Sequence, residues 1–447
     1  MTILFSSLNH VARVPLAAEI HSRPFLRLEA PEVLSHIAVY DRDPTDSGAV
    51  NGVTQHSMLA ALCGHFGVSA PTSEAKYFFH DFGRFRVKWE CHTEFATYTF
   101  AERHDDASSP SKAFQHAPLR HVPQQWLAAL QGKVMVAAHV VLDKTRGPSD
   151  AFAAGLRQVF EGNMLVGSHV LQGGEIWTDF LIQADGFSRF VVRDVGLHEQ
   201  QAGRLVQRLL EIETYRMMAL LGLPHAHQAT PILNAIEGEL ANLTAAMVET
   251  ERSNGSRLSD TDNEQELLSH ITGLAARIEK LSLDNSYRFS ASQAYFSLVN
   301  ARIDELREIR IEGSPTIGEF MDRRLTPAMN TCQAIARRQE ALAERIAHTN
   351  DLLRTRVGIV QERQNRQILQ SMNTRAAQQL RLQQAVEGLS VVAISYYTVG
   401  LLSYAGKAAK AAGLPVNPDV ATGVLVPLVA AGVWLALRRM HKSIHTG

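Results

Sequence analysis

Cysteine is scarce in this chain. Three occur among 447 residues, at Cys63, Cys91 and Cys332, and none forms a CxxC pair. That argues against a disulfide framework and against a thiolate zinc site, and it fits a reducing compartment. An excess charge of one sign is also missing. The 44 basic residues are balanced by 45 acidic ones, so there is no global basic field of the kind that holds nucleic acid, and no nucleic-acid partner is expected. The N-terminal stretch MTILFSSLNHVARVPLAAEI has no basic region followed by a long apolar run, so no secretory leader is expected and the bulk of the chain should be cytoplasmic. GxSxG, a phosphate-cradling glycine loop, HExxH and a dinucleotide fingerprint are all absent, so the motifs point to no enzyme.

What is present is enough apolar material for a real core. Hydrophobic residues make up 45% of the chain and charged residues 20%, which suits two or three folded domains. Residues 1–228 read as a cytoplasmic α/β domain of the α+β class with a mixed β-sheet. Runs rich in Val, Phe, Tyr and Ile fall at 35–41, 76–82, 84–100, 133–142, 164–171, 175–182 and 188–195. Helical spacing falls at 57–66 and 149–160, and Pro110 to Pro123 reads as a loop. A longer helix is predicted from about 199 to 221, with Leu205, Leu209, Ile212 and Met217 on its apolar side and Gly222 to Pro224 as its stop.

From about Pro231 the strand-like runs vanish. Residues 229–385 read as a long helical, coiled-coil stalk. Leu267, Ile271, Leu274, Ile278 and Leu281 alternate steps of four and three, which is a coiled-coil seam. Residues 251–264 read as the loop before it, and Gly313 to Pro315 as a break. Thr326-Pro327 is expected to start the last helix, whose sixty or so residues would span roughly 90 Å.

Residues 386–447 read as two transmembrane helices, about 386–404 and 420–437, with a short loop and a basic tail. Each apolar segment just reaches the length of a bilayer core. Six arginines lie in 350–385, and Arg438, Arg439 and Lys442 follow the second segment, against Lys407 and Lys410 in the loop. This asymmetry places both termini in the cytoplasm of a multi-pass protein of the inner (plasma) membrane.

Three sets of residues are candidates for a site. The first is a polar stripe on the last helix. Its seam begins apolar, at Cys332, Ile335, Leu342, Ile346, Leu353 and Val360, then continues as Gln364, Ser371, Arg375 and Gln378. Within the apolar segment Glu387, Ser390, Tyr397 and Tyr404 follow at the same spacing. A carboxylate there is costly unless it faces water, a partner or an ion. In a homo-oligomer packed around an axis the stripe would line a pore; as a solvated face at headgroup level it would be only an anchor. The second set is Glu90, His92 and Glu94, which alternate if 84–100 is one strand. Two carboxylates flanking an imidazole suit a divalent metal ion, the one cofactor this pattern suggests. A solvated strand face paired with Arg84, Arg86 and Lys88 explains the same alternation. The third is His21 with Arg23, an anion-binding pair beside Pro24 or an ordinary turn. Glu211 and Glu213, two apart on a helix, are expected to face different ways.

Several phrases carry a resemblance over nearly the whole chain: EIHSRPF, FHDFGRFRVKWECHTEF, AGRLVQRLLEIETYRMMALLGLP, FMDRRLTPAMNTC and QNRQILQSMNTRAAQQLRLQQAVEGLSVVAISYY. The chain resembles a bacterial family of uncharacterised membrane-anchored proteins. In the order of its parts it is also similar to the CorA-type magnesium transporters, in which five first membrane helices line a pore below a Gly-Met-Asn motif. That motif is absent here, where the chain reads LLSYAGKAAKAAG. The resemblance implies an oligomeric ion channel or transporter. The alternative is a membrane-tethered scaffold or sensor without transport.

Overall fold

A computed structural model describes residues 9–21, 24–40, 52–104, 110–144, 149–198, 200–253, 260–412 and 418–444. The chain divides into two compact units, one made of residues 1–251 and 271–348, the other of 252–270 and 349–447.

The first unit is built on a mixed β-sheet. Its strands are β1 (Glu32–Tyr40), β2 (Tyr77–Asp81), β3 (Arg86–Cys91), β4 (Phe95–Arg103), β5 (Lys133–Asp143), β6 (Val166–Val170), β7 (Gly174–Ile182), β8 (Ser188–Asp194) and β9 (Ile309–Arg310). They lie in the order β2-β3-β4-β1-β5-β8-β7-β6-β9. β5 and β8 pair in parallel, and the other described pairs are antiparallel. Each expected strand is present. The run 84–100 is a hairpin rather than one strand: residues 92–94 turn the chain, and the His92 N–H closes on the Phe95 carbonyl at 2.8 Å.

The helices are α1 (Arg13–His21), α2 (Gly52–His65), α3 (Pro110–Phe114), α4 (Gln124–Ala128), α5 (Ser149–Phe160), α6 (Gln201–Leu220), α7 (Gly222–Ser253), α8 (Asp260–Leu306), α9 (Ile317–Ala411) and α10 (Pro418–Ile444). The segment expected to be a loop at 110–123 holds α3 and a short 3-10 helix, Pro118–His121.

Alternation along the strands sends side chains to opposite faces. One face carries Ile37, Val87, Trp89, Tyr98 and Phe100, which pack with Leu59, Leu62 and Cys63 of α2 and Trp126 of α4. The Trp126 indole N–H donates to the Met58 carbonyl at 2.7 Å. Farther along the same face Val191 packs on Phe152, Leu156 and Phe160 of α5. The other face is covered by α6, where Met218 packs against Ala38, Phe95 and Val136. Leu205, Leu209 and Ile212 of α6 are fully buried. Each such aliphatic side chain contributes about 1.5–3 kcal/mol. Met218, not Met217, completes the buried stripe.

The helices expected to form a separate stalk contribute to this unit. Ile271, Leu274, Ile278 and Leu281 of α8 are buried, as the seam predicts, together with Leu233 and Ile236 of α7 and Leu342 and Ile346 of α9. Arg338 of α9 binds both carboxylate oxygens of Glu237 on α7, at 3.0 and 2.6 Å. The Gln339 amide of α9 reaches the Leu281 carbonyl of α8 at 3.3 Å. β9, which follows α8, completes the sheet. The sheet therefore does not end at residue 228, because its last strand comes from the turn between two stalk helices.

That turn uses Gly313 at φ +84°. α9 then starts at Ile317, not at Pro327, which lies inside it. The reason is a capping box: the Glu319 N–H donates to Thr316 Oγ1 at 3.1 Å, and the Thr316 N–H donates to Glu319 Oε2 at 3.2 Å.

In the second unit Arg356 of α9 holds the buried Glu264 of α8 at 2.7 Å. Leu353 and Val357 are its last buried apolar residues on α9, and Val360 is half-buried. Beyond them Ile368, Leu369, Met372, Leu389 and Val392 are exposed. α9 contains a stretch long and apolar enough to cross a membrane by length and composition, and α10 contains a shorter apolar stretch, Thr422–Ala436.

Candidate functional site

The sheet face under α6 is polar where β1, β3 and β4 meet. Register puts His36 opposite Thr99, Lys88 opposite Thr99, and Glu90 opposite Thr97. The sequence pattern is simple alternation: Lys88 and Glu90 interleave with Val87 and Trp89, and Thr97 and Thr99 with Tyr98 and Phe100. Such a pattern ordinarily gives a face turned to water. Here α6 lies over it, and the polar side chains line a half-open cavity of about 240 Å³.

Its charges form a connected row. Lys88 Nζ lies 3.1 Å from Glu90 Oε2 and donates to Gln207 Oε1 at 3.2 Å. The Gln207 amide donates to Glu211 Oε1 at 2.8 Å. Arg302 of α8 donates to Glu211 Oε2 and, at 2.8 Å, to Glu305. Lys88 is 4% exposed. Gln207, Glu211, Arg302 and His92 are half-buried. A shallower pocket shares Gln207, Glu211 and Arg302 with the first and extends to Phe25 and Arg208.

His36 sits at the floor. Its Nδ1 is 2.8 Å from Thr99 Oγ1 and its Nε2 is 3.2 Å from Thr214 Oγ1. Burial first, and the Lys88 charge second, push its pKa down to about 3. The ring is therefore neutral at physiological pH, with one nitrogen donating and the other accepting. Thr97 completes the floor. It is 4% exposed, and its hydroxyl has no hydrogen-bond partner among the described residues. A buried hydroxyl without a partner costs about 1–3 kcal/mol, and this oxygen is closed off from the open part of the cavity.

Of the residues proposed as a metal set, Glu90 and His92 both line this cavity. Glu94 does not join them. It lies in the β3–β4 turn, where strand alternation no longer applies, and its carboxylate takes Arg288 of α8 at 2.8 and 3.3 Å. His92 stacks on Phe95 at 4.4 Å between ring centroids. Among the described residues no group of three His, Cys, Asp or Glu side chains is placed to hold a metal ion. On the alternative reading, Lys88 does pair with Glu90 at 3.1 Å, and that face lies beneath α6, with Lys88 4% exposed and Glu90 half-buried. Arg86 binds Glu32 instead. Arg23 and the His21 side chain lie outside the described residues. Glu211 and Glu213 do face different ways, since Glu213 is held by Ser188 Oγ at 3.1 Å and by Arg216.

The polar-stripe residues of α9 differ in exposure. Gln364, Glu387 and Ser390 are half-buried, and Ser371, Arg375, Gln378, Tyr397 and Tyr404 are exposed. The Ser390 hydroxyl donates to the Val386 carbonyl at 2.9 Å, and Thr398 likewise to Ile394 at 2.7 Å.

Over residues 8–444 the chain matches a family described as protein of unknown function, DUF3422. It belongs to that family. None of the curated proteins and none of the solved structures matches it. The DUF3422 match spans the sheet, α6 and the apolar helices together, so cavity and apolar segment belong to one family unit. The likeness to CorA-type transporters rests on the order of parts in the sequence alone.

Sequence reasoning missed Lys88, Thr97, His36, Gln207 and Arg302 as site residues. The alternation in β3 and β4 was a signal for the first two. Nothing local marks that a helix more than a hundred residues later closes the face.

Proposed function

We propose that this protein is a membrane-tethered small-molecule binding protein, a sensor whose ligand site is the cavity beneath α6. The observation that carries the reading is a concave space of about 240 Å³ beneath α6, lined by leucines together with Lys88, Glu90 and His36. Ligand sites of this kind combine apolar walls with a few converging polar groups.

The tether is the apolar stretch of α9 with that of α10, inserted as two spans in the inner membrane, both termini cytoplasmic. The exposure of Leu389, Val392 and Leu401 supports insertion, and the arginines of 350–385 support the orientation. A homo-oligomer belongs to the same proposal, supported by Ile368, Leu369 and Met372, which are exposed on a single chain. An ion-conducting role has less support. The Ser390 and Thr398 hydroxyls hydrogen-bond to their own helix, and Lys407 and Lys410 repel cations.

The test replaces residues 386–444 by an unrelated two-span hairpin. The native chain should stay in the membrane pellet after alkaline carbonate, and the swapped chain should keep any ligand-linked rise in melting temperature. Release of the native chain by carbonate overturns the tether. Loss of ligand-linked stabilisation on the swap overturns a site confined to the first unit.

A further inference from the structure

The cavity lining is of two kinds. Leu26, Leu28, Leu34 and Leu210 are aliphatic. The same lining holds two cations, Lys88 and Arg302, and two anions, Glu90 and Glu211. The charges cancel. An anion would approach Glu90 and Glu211, and a cation would approach Lys88 and Arg302, each against like charges in a low-dielectric space. A neutral polyol would set its hydroxyls against leucines and leave them unpaired. A ligand carrying both charges and an apolar tail meets every part of the lining.

The unused hydrogen-bonding capacity gives the orientation. Lys88 has three N–H donors and two acceptor partners, Gln207 and Glu90, so one donor remains. Thr97 faces Glu90 across the β3–β4 pair, and Thr99 faces Lys88. Thr97 is therefore the diagonal neighbour of Lys88, within reach of a long side chain. The remaining Lys88 donor can take one oxygen of a carboxylate, while the Thr97 oxygen is closed off from the cavity. The Glu90 and Glu211 carboxylates stand next along the row as acceptors for an ammonium group. Arg302 stays clasped between Glu211 and Glu305 and holds Glu211 in place. The volume of about 240 Å³ falls just under the range of about 300–1,000 Å³ typical of drug-sized ligands.

Resting on the binding-protein reading above, we propose that this cavity binds a small aliphatic α-amino acid as its zwitterion. The carboxylate lies on Lys88, the ammonium on Glu90 and Glu211, and the side chain on the leucines.

The experiment is calorimetric titration of the full chain in detergent with L-leucine, with 4-methylpentanoate (no ammonium), with 3-methylbutylamine (no carboxylate) and with D-glucose. The expected result is saturable binding of L-leucine, with each truncated analogue weaker by about tenfold or more, the size of one lost charged hydrogen bond. Lys88→Met should weaken L-leucine by a similar factor. Binding of an analogue or of glucose in place of L-leucine, or equal binding of L-leucine and its analogues, overturns the zwitterion and leaves the binding protein standing. If none of the four binds, the zwitterion falls. If Lys88→Met then also raises the melting temperature of the free protein, the ammonium is only a buried cost, and the binding reading falls with it.

Discussion

Arg288 of α8 clasps Glu94 of the β3–β4 turn with two hydrogen bonds, at 2.8 and 3.3 Å, across 194 positions of sequence. Glu94 is 1% exposed and Arg288 6%. Removing one partner of such a pair strands a buried charge. Glu94→Ala should therefore cost about 3–5 kcal/mol of stability. Glu94→Gln with Arg288→Met, which removes both charges, should recover much of the loss. Chemical denaturation of the three proteins checks this, and a single variant as stable as the parent would contradict it.

His36 and His139 make stability depend on pH. Burial lowers them to about 3 and about 4 from an ordinary value of 6.5. On acidification the unfolded chain takes up these protons first. Stability is thus full above about pH 6.5 and falls as pH drops from there toward 4, by up to about 1.4 kcal/mol per pH unit for each histidine. His36→Asn should flatten the slope of melting temperature against pH between 4 and 6.5. An unchanged slope would mean that His36 protonates freely in the folded protein.

Gly203 lets α6 lie against the segment before β1. A Cβ built there would stand 1.9 Å from the Leu26 carbonyl oxygen. Gly203→Ala should force the two apart and cost about 1–3 kcal/mol. Because Gly203 and Leu26 both line the cavity, ligand affinity should fall along with stability. Melting and titration of the variant measure the two effects together.

Membrane insertion should respond to charge on α9. Leu389 and Leu401 are 73% and 72% exposed. A lysine at a bilayer centre costs about 2.5–3.5 kcal/mol, so Val392→Lys with Ile394→Lys, nearer the middle of the stretch and both exposed, should move a large share of the chain into the carbonate supernatant. Retention equal to the parent's would argue against insertion at this stretch.

Ion flux separates the tether from a pore. Glu387→Ala and Tyr397→Ala should leave the ion permeability of reconstituted liposomes unchanged. A clear change in either variant would restore the conducting reading.

Much of the architecture was legible in the sequence because it is local. Alternating Val, Phe and Tyr marked β1 to β8, and the steps of three and four at Ile271, Leu274 and Ile278 marked a seam that is buried. Composition alone marked the apolar stretches of α9 and α10. The start of α9 was misplaced because proline was weighed above the Thr316–Glu319 capping box. Tertiary structure decided the site. The same alternation in β3 serves a solvated face or a covered one, and only the placement of α6 over Lys88, Glu90 and Thr97 makes it a cavity. The separation of Glu94 from His92 was decided the same way. The strand ends at Cys91, so both lie in the turn, and the Glu94 carboxylate is held by an arginine 194 positions distant.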